Sequence, residues 1–145
     1  LRWAEIDLES RIWTCPAERM KTGVAHRVPL TEESLALLEP LRTLGSDVVF
    51  EGQARHQPLS NMSMLMLLRR MGVEGATVHG LRSTFRDWAS EVAGVPREVA
   101  EKSLAHSIGT TVERAYARSD LLEQRRPLMR DWSQFVASGC VVEGS

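Results

Sequence analysis

Cysteine is scarce in this sequence: Cys15 and Cys140 are the only two in 145 residues, and they lie far apart. A disulfide framework is therefore excluded, and a reducing cytosol fits. No run of 18 apolar residues occurs, so nothing reads as a membrane-spanning helix. The start, LRWAEIDLES, lacks both a Met and the apolar stretch of a secretory signal. It opens inside an ordered-looking pattern, as a piece cut from a longer protein would. An excess of one charge is missing too: 18 Lys and Arg face 19 Asp and Glu, for a net charge of −1. That balance argues mildly against nucleic-acid binding, which usually goes with a basic surface. The four histidines, His26, His56, His79 and His106, are scattered, and neither cysteine stands near one at ligand spacing. No structural metal is expected from such spacing. Internal repeats and low-complexity linkers are absent.

What is present is ordinary globular composition, 43% apolar and 26% charged, in a length suited to one domain. RIWTCPA (11–17) and HRVPL (26–30) read as short strands. Gly23 between them marks a turn, so this is a hairpin with Lys21 at or near its tip. Thr31 is a plausible cap for a helix that Pro40 ends or kinks. DVVFEG reads as a short extended piece. Ser60 is expected to cap the helix NMSMLMLLRRM and Gly72 to stop it, with Met62, Met64 and Met66 as core filling. From residue 79 the chain reads as mostly helical. Gly94 separates the first helix from PREVAEKSLAHS, where Pro96 fits the first helical turn. TTVERAYARS is a third helix. The last, DLLEQRRPLMRDWSQFVAS, has Asp120 as its cap and Pro127 as a break or kink. Leu121, Leu122, Leu128, Met129, Trp132, Phe135 and Val136 form its apolar stripe.

The stretch HGLRSTFRDWAS (79–90) carries the chemistry. On a helix, His79, Arg82, Ser83 and Arg86 fall within roughly a 100° arc. Leu81, Phe85, Trp88, Ala89 and Val92 fall on another, the expected buried stripe. The basic arc begins at a helix N-terminus, where backbone N–H groups and the dipole also favour an anion. A phosphate is the natural guest, because a guanidinium offers it a planar fork of donors.

HGLR before an aromatic helix, then LAHS, then VERAYARSD with its Tyr ten residues after the LAHS His, make an ordered set. The set resembles the catalytic domain of tyrosine recombinases, the phage-integrase family, and especially the integrases of prophages and genomic islands. LRWAEIDLE, RMKTGVAHRVPL and YARSDLLEQRRPLM extend the likeness over residues 1 to 136. The resemblance implies a mainly α fold with a small antiparallel β-sheet or hairpin (α+β). It places the catalytic domain at 1–138, cut short on its N-terminal side, with a flexible tail at 139–145. It implies His79 and Arg82 as the His-x-x-Arg pair, Lys21 as the hairpin lysine, His106 as the second histidine and Tyr116 as the nucleophile. Tyr116 is the only tyrosine in the chain.

In the family such groups cut double-stranded DNA by transesterification. The Tyr leaves a 3′-phosphotyrosyl link and frees a 5′-hydroxyl, whose return rejoins DNA without ATP, metal or other cofactor. The family acts as a homotetramer on DNA, in the bacterial cytoplasm at the nucleoid. A phosphodiester gains negative charge as it becomes pentacovalent, and fixed cationic donors lower that barrier. Tyr, with a pKa of about 10, needs a base or a cationic setting to attack, and Lys21 can protonate the leaving oxygen.

The family's other catalytic arginine falls just upstream of Leu1, and Arg2 sits at the wrong place to replace it. The isolated chain is therefore expected to be inactive. Arg27, Arg69, Arg70 and Arg86 fit DNA-backbone contacts or plain surface charge equally, and Arg125 and Arg126 read as a solvated helix face. The alternatives are a non-catalytic helical DNA-binding module, such as a helix-turn-helix regulator, and a recombinase relic that only binds partners. A covalent Tyr–DNA adduct separates the first reading from both.

Overall fold

The structure is a computed structural model that describes residues 1–52, 54, 56–106 and 119–139. It has the expected α+β character: a three-stranded antiparallel sheet followed by helices. The strands are β1 (Ile6–Asp7), β2 (Ile12–Cys15) and β3 (His26–Pro29), in the order β1-β2-β3. The hairpin of β2 and β3 is as anticipated, with Trp13 opposite Val28 and Cys15 opposite His26. The two-residue β1 is too short to leave a period-2 signal. A turn fixes it instead: Asp7 Oδ1 accepts the N–H groups of Glu9 (2.9 Å) and Ser10 (3.0 Å).

Thr31 caps α1 (Glu32–Leu38) by accepting the Ser34 N–H at 3.2 Å, and the chain tightens to a 3-10 helix, Glu39–Leu44, at Pro40. DVVFEG is extended: Val48 bridges to Arg2, and Val48 and Val49 are buried. Ser60 does not cap α2 (Ser63–Arg70); the helix starts three residues later, and the Ser60 carbonyl closes a turn on Ser63 N–H. Gly72 does stop it, at φ +69°.

The methionines of this helix are a correction. Met62, Met64 and Met66 are 53%, 45% and 46% exposed, so they fill no core among the described residues. Met62 and Met66, four residues apart, share one face and Met64 lies on the opposite one, so the three cannot fill a single core.

Helices α3 (Gly80–Glu91), α4 (Arg97–Ser103) and α5 (Leu122–Ala137) build the main core. Phe85, Trp88 and Ala89 of α3, Val99 and Ala100 of α4, Leu104 just beyond it, and Leu128 of α5 are buried together. Leu81 and Val92, read as part of the α3 stripe, lie more than half exposed, because α5 covers only the middle of that face. Trp132 meets Phe85 edge-on, with centroids 5.3 Å apart, and Phe135 lies 5.5 Å from Trp88. Both rings of α5 therefore dock on the same chain. Pro96 stands at the N-cap of α4, one residue before the helical turn proposed for it. Asp120 Oδ1 accepts the Leu122 N–H at 3.3 Å, while Leu121, at φ +56°, occupies the N-cap itself. Pro127 does not split α5: helix runs through it, since its missing N–H costs one bond in a segment held by packing on both sides. The helix TTVERAYARS lies outside the described residues but for Ser119, as does the tail from Cys140.

Candidate active site

Helix α3 presents the basic arc. Thr77 starts the helix: its Oγ1 accepts the Gly80 N–H at 2.9 Å and its carbonyl the Leu81 N–H at 3.3 Å. The His79 carbonyl accepts the Arg82 N–H at 3.0 Å. The first N–H groups are thus satisfied within the chain, and attraction for an anion rests on the side chains and the dipole. His79 occupies the N-cap position and is exposed, one turn before Arg82.

Arg82 and His106, 24 residues apart, meet. Arg82 Nη2 donates to His106 Nε2 at 2.9 Å and also to the Leu104 carbonyl. On its other side the imidazole contacts Glu101: Nδ1 lies 2.6 Å from Oε2. Glu101 is buried at 7% exposure, and its Oε1 takes the Arg86 Nε at 3.0 Å. Arg97 approaches the same oxygen at 4.0 Å. The bond from His106, with the Arg86 cation beside it, holds the Glu101 carboxyl below its usual range against the opposing effect of burial. Glu101 is therefore a carboxylate at neutral pH, and only an Nδ1–H can donate to it. The network assigns His106 the Nδ1–H tautomer with the Nε2 lone pair toward Arg82.

The hairpin reaches this cluster at its base. Lys21 lies in the exposed turn between β2 and β3, near Gly23 at φ +65°. His26, at the start of β3, bonds to the backbone of Ser103 at the end of α4. Burial depresses its pKa, and the cations of Arg125 and Arg82 add to that. Arg125 is not on a solvated face, as its sequence neighbourhood suggested: it is fully buried. Its guanidinium donates to the Arg27 carbonyl (2.7 Å), the Asp120 carbonyl (3.3 Å) and Ser103 Oγ (3.3 Å), and lies 3.5 Å from His26 Nε2. Arg126 is half-buried and donates to the Ser10 carbonyl at 3.2 Å. One buried cation thus ties hairpin, α4 and α5 into a seam. An Arg between apolar helix positions is read as solvated by default, because its polar partners come from remote segments.

Arg27 forks onto Asp120 at 2.8 and 2.9 Å, with about half its side chain still open. Arg69 and Arg70 are exposed in the last turn of α2. Tyr116 lies outside the described residues. Among the described residues no cluster of His, Cys, Asp and Glu could hold a metal ion. Sequence reasoning missed Glu101, His26 and Arg125. For Glu101 the available signal was a carboxylate on the part of α4 that carries the buried Val99 and Ala100 and leads to the buried Leu104.

The sequence profile of the phage integrase family matches residues 1–123. The chain belongs to the phage integrase family. Among its relatives, prophage integrase IntA of Escherichia coli (strain K12) is 41% identical over 97% of this chain and 36% of its own length. Prophage integrase IntZ of the same strain is 35% identical over 94% of this chain and 35% of its own. The integrase of Shigella phage Sf6 is 30% identical over 94% of this chain and 36% of its own. The chain thus spans about a third of the length of these curated relatives. No solved structure matches it significantly. No helix among the described residues is long and apolar enough to cross a membrane.

Proposed function

We propose that this member of the phage integrase family supplies the catalytic domain, residues 1–138, of a site-specific tyrosine recombinase that cuts and rejoins double-stranded DNA. The observation that carries this reading is the meeting at 2.9 Å of Arg82, on the basic face of α3, with His106 from the segment just beyond α4. Such a pair suits the non-bridging oxygens of a phosphodiester, whose charge grows in the transition state.

In this reading the Tyr116 hydroxyl gives its proton to one of the two histidines, His79 or His106, its oxygen attacks phosphorus, and the bond to the 5′-oxygen breaks. The product is a 3′-phosphotyrosyl link, and Lys21 on the hairpin turn protonates the leaving oxygen. Arg82 clamps the phosphate, and His79 and His106 act as donors or proton carriers. The reverse attack by another 5′-hydroxyl rejoins the strands, with no cofactor. Arg27 and Arg86 keep about half of their side chains open and add contacts to the DNA backbone. The assembled form is a homotetramer on DNA, at the nucleoid.

The test is adduct trapping by the full-length protein on a nicked duplex carrying the junction sequence of its genetic element. The wild type is expected to form a covalent adduct, and Tyr116→Phe to form none while binding the duplex as before. A Tyr116→Phe protein that still trapped DNA would refute the nucleophile, and a wild type that bound without trapping would favour the relic.

A further inference from the structure

We infer that Glu101 is a positioning residue of the site, one that fixes the tautomer and orientation of His106 and the placement of Arg86. The inference rests on the recombinase reading for its consequence, but on geometry alone for its substance.

Glu101 holds His106 twice. Its backbone carbonyl accepts the His106 N–H at 2.9 Å, across a helix end where Ala105 turns left-handed at φ +57°. Its Oε2 lies 2.6 Å from the His106 Nδ1 of the same residue. Backbone and ring are thus referred to one residue, so the imidazole can neither rotate nor shift along the chain without breaking a bond to Glu101. The second oxygen is used as well, by Arg86 Nε at 3.0 Å. Arg86 stands four residues after Arg82 on the same face of α3, so one buried carboxylate sets both a guanidinium and an imidazole around the Arg82 fork.

The chemical result is a choice of nitrogen. With the Nδ1 proton committed to Glu101, Nε2 is the nitrogen left to gain or lose a proton, and it is the one that faces Arg82. A carboxylate behind an imidazole is the general means of fixing a tautomer and stabilising the imidazolium. Its burial matters: an exposed carboxylate would be screened and free to choose other rotamers, whereas Glu101 is 7% exposed. Of the charged groups nearby, Arg82 on α3 meets the ring at Nε2, while Arg86 on α3 and Arg97 on α4 turn to the Glu101 carboxylate. Glu101 is the carboxylate that meets the ring itself.

Two measurements test this. Long-range proton–nitrogen spectra of the histidine-labelled full-length protein, with His106 assigned through a His106→Gln variant, are expected to show the Nδ1–H tautomer at neutral pH. In Glu101→Gln that preference should disappear. Adduct formation on the nicked duplex should slow by at least about tenfold, the lower end of what such carboxylate partners contribute, with duplex binding within about twofold. Glu101→Asp, which keeps the charge, should recover part of the rate. A wild type with His106 mainly in the Nε2–H form would overturn the inference without any variant, even if Glu101→Gln failed to fold. So would a folded Glu101→Gln protein with unchanged tautomer and rate. Tyr116→Phe separates the two readings: a normal His106 response beside an adduct that survives Tyr116→Phe sinks the recombinase reading alone.

Discussion

Replacing Arg125 with Met probes the seam that joins the hairpin to the helices. Met keeps most of the aliphatic volume, so the change removes hydrogen bonds rather than packing. Four groups lose the guanidinium: the carbonyls of Arg27 and Asp120, Ser103 Oγ and His26 Nε2. Ser103 retains a bond to the Val99 carbonyl at 2.9 Å, and the His26 contact is long at 3.5 Å, so neither weighs much. The two carbonyls decide the sum. Each part-buried acceptor left without a donor costs at most the roughly 1–3 kcal/mol of a buried one, which sets a ceiling of about 2–6 kcal/mol in total. Removing a fully buried cation returns part of that, because its desolvation cost vanishes. A net loss of about 2–4 kcal/mol remains, or roughly 6–12 °C in Tm for a domain of this size. Urea titration followed by tryptophan fluorescence measures it directly. The slope with denaturant should stay the same while the midpoint falls. An Arg125→Met protein within about 0.5 kcal/mol of wild type would show that the seam adds nothing and that Arg125 is an apolar residue in disguise.

The remaining predictions address the core, the α4 terminus and pH. Leu128→Ala, at a position 2% exposed, should cost about 2–5 kcal/mol, while Met64→Gln on the exposed helix α2 should stay within about 0.5 kcal/mol; the same urea titration reads both, and equal losses would contradict the burial pattern. Ala105→Gly should be neutral or stabilising by up to about 1 kcal/mol, since the left-handed conformation at φ +57° costs an L-residue about 1–2 kcal/mol and glycine's extra entropy offsets about half; a loss of more than that would mean the methyl group packs. Stability should fall as pH falls below about 6.5, the ordinary value of His26, because its folded-state pKa is depressed and the unfolded chain binds the extra proton. A second decline follows below about 4.5 as Glu101 and Asp120, also depressed, are protonated. His26→Asn should remove the upper part of this slope, and a chain that became more stable between pH 7 and 5.5 would reverse the sign of the argument.

Residues with local causes were legible in the sequence. Thr31, Pro40, Gly72 and the β2–β3 hairpin act through their own φ angles or their own neighbours, and each appears where its chemistry places it. The apolar stripe of α5 was legible for the same reason, since period 3.6 is set by the helix alone. The Ser60 cap and the Pro127 break failed locally, but the other misreadings turn on what stands near a residue in space. Arg125 is buried because Arg27, 98 residues earlier, offers a carbonyl. Met62, Met64 and Met66 are exposed because nothing among the described residues packs on them, which no property of methionine could reveal. Glu101 stayed unread because a carboxylate in a helix is solvated by default, and its partners Arg86 and His106 come from either side of it.

The residues proposed for the site divide between two parts of the fold. Arg82 and His106 stand exposed on the helical unit, held by Glu101 and the Leu104 carbonyl above the packed Phe85, Trp88 and Leu104. Lys21 rides on a hairpin whose base is fixed by Arg125, His26 and the Arg27–Asp120 fork. The turn between the strands is exposed and includes Gly23. In the function proposed above Arg82 and His106 clamp a phosphate, and such a clamp must be rigid, because preorganised donors lower a barrier only if they need not move. In the same proposal Lys21 is the general acid, which must reach an oxygen that moves away as its bond breaks, and a turn anchored at its base and open at its end suits that task. The buried seam fixes the base of the hairpin against α4 and α5. That is why a guanidinium, with donors for several segments at once, stands where an apolar residue would have packed at lower desolvation cost.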